Sequence, residues 1–389
     1  MAGSLGNVRL GDTSNNGSGI LRQTFDGASM KTKAATLADV ARHADVSYQT
    51  VSRVLNNSAN VSAKTRKKIE LAIAELKYVP NRMAQQLVGK ESKTLGLVTT
   101  SLALHAPSQI AAAVKKYAGE QGYQVLISMI DDASDDAIQH AINDLKSQRV
   151  ERIIINAPLE TPVAESLVDE NPEVQCLFLD VDPYSSVFNV TFNPAEGARA
   201  SVKYLYELGH RQFCLLSGPE ESVPARLRLN TWRDTLASYQ ISPLAIHHGQ
   251  WDAQSGYLAT LQMLRETPQV TALLIANDQM ALGALSALHQ QKRKIPQDIS
   301  LIGYDDTYES AFFEPALTTV AIDFDLQGKM AVQQLLQSSE SPLATRASTI
   351  LPSRLVVRRS AGPLHTSETN LQDIAEKLRA LADQLAEKP

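Results

Sequence analysis

Ser47-Tyr48-Gln49-Thr50-Val51-Ser52-Arg53 is the stretch on which the reading of this chain turns. On a helix, Tyr48 and Ser52, and likewise Gln49 and Arg53, lie four residues apart on one face, while Val51, Val54 and Leu55 fall on the other. One face is polar and reaching; the other is apolar and suited to packing. Tyr, Gln, Ser and Arg carry groups that meet base edges and phosphates in a DNA major groove, and the Ser47 hydroxyl suits the cap of a helix N-terminus pointing there. The stretch reads as a DNA recognition helix.

Upstream, Thr36 is a good N-cap for a short helix from Leu37 to Ala44 whose Leu37, Val40, Ala41 and Ala44 share a face. Asp45-Val46 must then turn the chain through positive φ, a conformation that Gly adopts best and Asp tolerates. Downstream of Asn56-Asn57-Ser58, Ser62 caps a third helix, Ala63 to roughly Lys77, with Ile69, Ala72, Ile73 and Leu76 apolar and Lys64, Arg66, Lys67 and Lys68 exposed. Three such helices over residues 30–79 describe a helix-turn-helix headpiece. A basic helical bundle that binds no nucleic acid is the competing reading. Charge is distributed to match the first: residues 30–90 carry eleven Lys or Arg against four Asp or Glu, whereas 91–364 carry twenty-one against thirty-one.

Residues 1–29, rich in Gly, Ser and Asn, show no periodicity and are expected to form a disordered tail. They lack an apolar signal-peptide core, and no run of eighteen apolar residues occurs anywhere, so a cytoplasmic protein without membrane contact is expected. Cys176 and Cys214 sit in apolar runs and read as buried small hydrophobes. Pro80 to Gly89, within a hinge and linker at 80–92, has a Pro start and a Gly stop. So short a helix is marginal alone and needs a partner to fold.

At Thr94 the pattern becomes α/β. Apolar runs at Leu95 to Thr99, Val125 to Met129, Ile153 to Ile155 and Leu177 to Leu179 alternate with amphipathic segments. A second series follows Val187 to Phe192: helix Pro194 to Leu208 stopped by Gly209, strand Phe213 to Ser217, a helix to Tyr239, strand Leu273 to Ala276, helix Gln279 to Gln291 and strand Ile299 to Ile302. Two similar halves imply two lobes with parallel sheets, an N-lobe at about 93–191 and 323–351 and a C-lobe at about 192–322 and 352–360. Leu317 to Ile322, helix Phe324 to Gln337 and the late strands of Ile350 to Arg359 have the chain recrossing between them. Beyond Gly362-Pro363, Leu364, Leu371, Ile374, Leu378, Leu381 and Leu385 keep a/d spacing. This segment, 361–389, reads as an oligomerisation helix, or else as a terminal helix packed on its own core.

Polar residues stand just past several strand ends: Asn156, Asp180, Asn277-Asp278 and Asp305-Asp306. Open α/β sheets bind ligands there, and two facing lobes would point these groups into one cleft. Arg226 and Arg228 offer donors, and Trp251 and Phe324 flat apolar faces. The combination suits a sugar, with paired hydroxyl hydrogen bonds and a C–H face for an aromatic ring; helix caps and turn residues are the competing reading for each Asp. There is no GxGxxG, Walker loop or HExxH. His210, His247 and His248 have no partners at ligand spacing, and Asp180 with Asp182 lacks a nucleophile. No metal, cofactor or enzymatic activity is expected.

The chain resembles the LacI/GalR family of bacterial regulators from about Met30 to its end. The motifs are Asp39-Val40-Ala41, Val46 to Val54, Val61 to Arg66, Pro80-Asn81-Arg82, Ala84-Gln85-Gln86-Leu87, Ser101 to Ile110, Ala276 to Gly283 and Gly303 to Thr307. The resemblance implies a two-lobed core like that of periplasmic sugar-binding proteins. It also implies base reading by Tyr48, Gln49 and Arg53, other operator contacts by Ser47, Ser52, Asn56, Thr65, Asn81 and Ala84, and a minor-groove wedge at Leu87. The inducer cleft carries over onto Leu104, Ala106, Pro107, Ile110, Asn156, Asp180, Phe192, Arg228, Trp251, Asn277, Asp305 and Phe324. Implied partners are double-stranded operator DNA, a galactoside inducer and further copies of the chain, as a dimer or, through the heptad helix, a tetramer. A different sugar, a co-repressor or a transport role are the alternatives. Asp45 stands where the family usually has Gly. Thr100 and Pro224 stand where a galactoside-responding member has serines, Ile322 where it has glutamine, and Gln327 where it has leucine.

Overall fold

The computed structural model describes residues 35–55, 60–79, 92–337 and 348–364, together with Arg379. Asn56, Asn81, Ala84, Leu87, Leu371, Ile374, Leu378, Leu381 and Leu385 lie outside them. The chain divides into two units, 1–90 and 91–389.

In the first unit, α1 (Leu37–His43), α2 (Tyr48–Leu55) and α3 (Ala63–Glu75) pack around Val40, Ala41, Ala44, Val51, Val54, Ile69 and Ala72. Thr36 and Asp39 form a reciprocal capping box on α1, and Ser62 accepts from the Thr65 amide at the start of α3. His43 on α1 reaches Glu75 on α3 at 2.6 Å. The turn between the first two helices takes φ 47° at Asp45, the left-handed conformation expected of that position.

The second unit holds two α/β lobes. In the first, β1 (Thr94–Thr99), β2 (Gln124–Met129), β3 (Arg152–Asn156) and β4 (Gln175–Phe178) form a parallel sheet in the order β2-β1-β3-β4. β5 (Val190–Phe192) pairs with β11 (Thr349–Leu351), and a parallel bridge from Phe178 to Asn189 ties this pair to β4. In the second lobe, β6 (Phe213–Ser217), β7 (Ala245–His248), β8 (Ala272–Ile275), β9 (Ser300–Asp305), β10 (Thr318–Ala321) and β12 (Arg354–Val356) lie in the order β12-β10-β9-β8-β6-β7, with β12 alone antiparallel. β3, β6 and β9 are buried along their whole length, as strands covered by helices on both faces must be.

Helices α4 (His105–Glu120), α5 (Asp135–Ser147), α6 (Thr161–Glu170) and α11 (Phe324–Gln337) belong to the first lobe; α7 (Pro194–Glu207), α8 (Val223–Ser238), α9 (Ala253–Glu266) and α10 (Asp278–Gln290) belong to the second. The chain passes between lobes three times, at 192–194, 321–324 and 351–354. β7, α6 and α9 were absent from the sequence expectation: β7 is a half-exposed edge strand of four residues, and α6 and α9 bury only narrow stripes.

Candidate functional site

Two sites are built, one in each unit. On α2, Ser47 accepts from the Thr50 amide at 3.2 Å and its hydroxyl pairs with that of Thr50 at 2.8 Å, so the helix start is held by its own side chains. Val51 and Val54 are buried while Tyr48, Gln49 and Arg53 stand exposed, Tyr48 at 59%. Ser52 and Thr65 are half-buried, and the Thr65 hydroxyl pairs with Ser62 at 2.9 Å. The three proposed base readers thus share one anchored, outward face.

In the second unit, a cavity of about 770 Å³ opens between the lobes. All twelve residues expected at an inducer cleft line it: Leu104, Ala106, Pro107, Ile110, Asn156, Asp180, Phe192 and Phe324 from the first lobe and the crossovers, Arg228, Trp251, Asn277 and Asp305 from the second. Thr100, Pro224, Ile322 and Gln327 line it too. The topology explains the convergence, because Asn156, Asp180, Asn277 and Asp305 end or follow parallel strands whose carboxyl ends face the gap.

Arg228 is the centre of the second lobe's wall. It lies in the second turn of α8, whose start is capped by Ser222 and shaped by Pro224. Its guanidinium lies 3.8 Å from the centroid of the Tyr304 ring and 5.7 Å from that of Trp251, donates to the Ala276 carbonyl at 2.5 Å and approaches Asp305 at 3.9 Å. Only 12% of its side chain is exposed, and 6% of that of Asp305. Burial pushes the Asp305 carboxyl up to about 8, with Arg228 pulling it down and Asp278 pushing it further up. Desolvation likewise raises Asp180 to about 6 against the pull of Arg228.

Trp251 takes φ 67°, and its ring covers Gly218 so closely that a Cβ there would lie 2.4 Å from it. Asn277 holds this residue in place, donating to the Trp251 carbonyl at 2.9 Å while its oxygen accepts from the Met280 amide at 2.8 Å. Both ends of the Asn277 amide therefore serve the frame. Asn156 donates to the Thr99 hydroxyl at 3.1 Å. The Phe192 and Phe324 rings meet edge to face at 5.8 Å and form the apolar wall.

Other polar residues past strand ends are drawn elsewhere. Asp278 is fully buried and accepts from the hydroxyls of Ser310 and Thr319, each at 2.6 Å, and from the Thr307 amide at 3.0 Å. Burial still raises it to about 6. Asp306 pairs with Arg358 at 2.6 Å, Asp182 accepts from the Tyr184 amide, and Arg226 pairs with Glu160 across the lobes. The His105 amide donates to the Gln279 side chain at 2.9 Å, a second contact between lobes. Sequence reasoning missed Tyr304 and Gln279: the first is hidden in an all-buried strand, and the second shows its role only once the lobes face each other. Among the described residues no group of His, Cys, Asp and Glu is arranged to hold a metal ion. No described helix is long and apolar enough to cross a membrane.

A model described as bacterial regulatory proteins, lacI family, matches residues 36–81, and one for a periplasmic binding protein-like domain matches residues 202–361. The chain is 46% identical over 356 residues to the lactose operon repressor of Klebsiella pneumoniae, covering 92% of this chain and 100% of that one. It is 46% identical over 354 residues to the lactose operon repressor of Escherichia coli K12, with coverages of 91% and 98%. Among solved structures, a lac repressor dimer bound to operator and the anti-inducer ONPF matches with a TM-score of 0.81 at 47% identity, covering 85% of this chain and 100% of that one. With the exposed face of α2 and the cavity between two parallel-sheet lobes, these matches make the chain a member of the lacI family of bacterial regulatory proteins.

Proposed function

We propose that this chain is a cytoplasmic transcriptional repressor of a lactose or other galactoside utilisation operon. It holds a near-palindromic operator as a dimer and releases it when a galactoside enters the cavity between the lobes. The observation that carries the inducer half is the convergence of Arg228, Asp305, Trp251 and Asp180 on one partly apolar cavity, a donor, acceptors and a ring face together. Neutral sugars need that combination. Tyr48, Gln49 and Arg53 supply base reading, Ser47, Ser52, Asn56, Thr65, Asn81 and Ala84 further DNA contacts, and Leu87, within a hinge at 80–92, the minor-groove wedge. Residues 361–389 join two dimers into a tetramer.

The mechanism is linkage. A sugar that prefers the lobe arrangement with weaker operator affinity lowers that affinity, and operator lowers sugar affinity by the same factor. Titrating labelled operator with the protein in the presence of a sugar panel tests this directly: galactosides should weaken operator binding. Operator affinity that rises with ligand would make the small molecule a co-repressor, and indifference to every galactoside would remove the inducer class.

A further inference from the structure

Gln327, on α11, lines the cavity and is 2% exposed. Its side-chain nitrogen donates to two backbone carbonyls, Leu179 at 3.2 Å and Val190 at 2.9 Å. Because both partners are carbonyls, the orientation of the amide is determined: a flipped amide would set oxygen against oxygen. The other end, Oε1, has no hydrogen-bond donor among the described residues. An enclosed acceptor without a donor is destabilising, whereas an apolar side chain places no such group there. Bracing the two carbonyls accounts for Nε2 and leaves Oε1 unexplained.

Three other polar groups of the cavity are already engaged. Asn156 donates to Thr99, both ends of Asn277 are used, and Arg228 spends one nitrogen on Ala276. Ile110, Phe192, Ile322 and Phe324 make the remaining lining near the crossovers apolar. A hydroxyl-bearing ligand entering from the cleft brings the kind of donor that Oε1 lacks.

We propose that Gln327 is a specificity-determining residue of this cavity, its Oε1 accepting a hydrogen bond from one hydroxyl of a neutral sugar. The proposal rests on the galactoside reading above and narrows it: the site recognises a hydroxyl that a leucine or methionine at 327 cannot recognise.

The test is a cycle of protein and ligand changes on the full-length chain. Affinities of wild type, Gln327→Leu and Gln327→Met are measured by calorimetry for a methyl galactoside and its single-deoxy derivatives. At one hydroxyl, its removal should cost the wild type about tenfold more than it costs either variant, the scale of one neutral hydrogen bond. The remaining positions should show no coupling. Galactoside binding with equal deoxy profiles in all three proteins would overturn this proposal and leave the inducer class standing. Failure of the wild type to bind any galactoside would overturn both. The methionine variant, unbranched and close in volume, guards against a leucine variant that does not fold.

Discussion

Replacing Arg228 with Ala tests the cavity at its electrostatic centre. The change removes the donor to the Ala276 carbonyl at 2.5 Å, the cation lying over Tyr304 at 3.8 Å and the positive charge 3.9 Å from Asp305. A hydrogen bond from a charged donor to a ligand hydroxyl is worth about 1.5–3 kcal/mol, and the sugar loses it along with the positioning of Asp305. Galactoside affinity should therefore fall by at least about tenfold and on the order of a hundredfold or more. A second consequence follows from the carboxyls. Arg228 opposes the upward push of burial on both Asp180 and Asp305, so without it both keep their protons to higher pH. If sugar hydroxyls donate to the ionised Asp305, wild-type affinity rises with pH through about 8, and the variant needs still higher pH to recover. Trp251 lines the cavity, which makes tryptophan fluorescence a direct titration signal between pH 6 and 9, with circular dichroism reporting the fold. An unchanged dissociation constant, or a pH profile that does not move in a folded variant, would refute the reasoning.

Four further outcomes are expected. Asp278 is raised by burial to about 6 from its ordinary 3.8, so the folded chain retains a proton that the unfolded chain has lost. Stability from this group falls as pH rises from about 4 to about 6, by about 3 kcal/mol at most, and Asp278→Asn should flatten that part of the melting profile; an unaltered slope would contradict it. Asp45→Gly should stabilise the headpiece by up to about 1 kcal/mol by relieving φ 47°, with glycine's freedom in the unfolded chain offsetting part, and amide hydrogen exchange of α1 and α2 reads the gain or its absence. Arg53→Ala should cost about 1–3 kcal/mol on the cognate operator, whereas an equal loss on random DNA would make Arg53 a phosphate contact. Deleting residues 363–389 should leave a dimer by sedimentation, and an assembly unchanged from the full chain would discard the tetramer helix.

The headpiece was legible in the sequence because its determinants are local. Thr36, Ser47 and Ser62 act within one helical turn, and the apolar spacing of Val51 and Val54 already places Tyr48, Gln49 and Arg53 on the opposite face. The α/β alternation was legible for the same reason, apart from β7, α6 and α9, whose half-exposed or narrowly apolar stretches carry a weak periodic signal. Strand ends pointed to Asn156, Asp180, Asn277 and Asp305, but residue type alone could not separate cleft residues from frame. Tertiary contacts make that division: Asp306 meets Arg358 and Asp278 meets Ser310, Thr319 and Thr307, while Asp305 is left facing Arg228. The unmet oxygen of Gln327 was equally out of reach, since Leu179 and Val190 lie more than 130 residues away in the chain. Local sequence therefore determined most of the helices, α6 and α9 apart, and which face each presents. Only the packing of the lobes decided which polar groups are satisfied and which are left unmet, because burial and hydrogen-bond satisfaction depend on neighbours that the chain brings from far away.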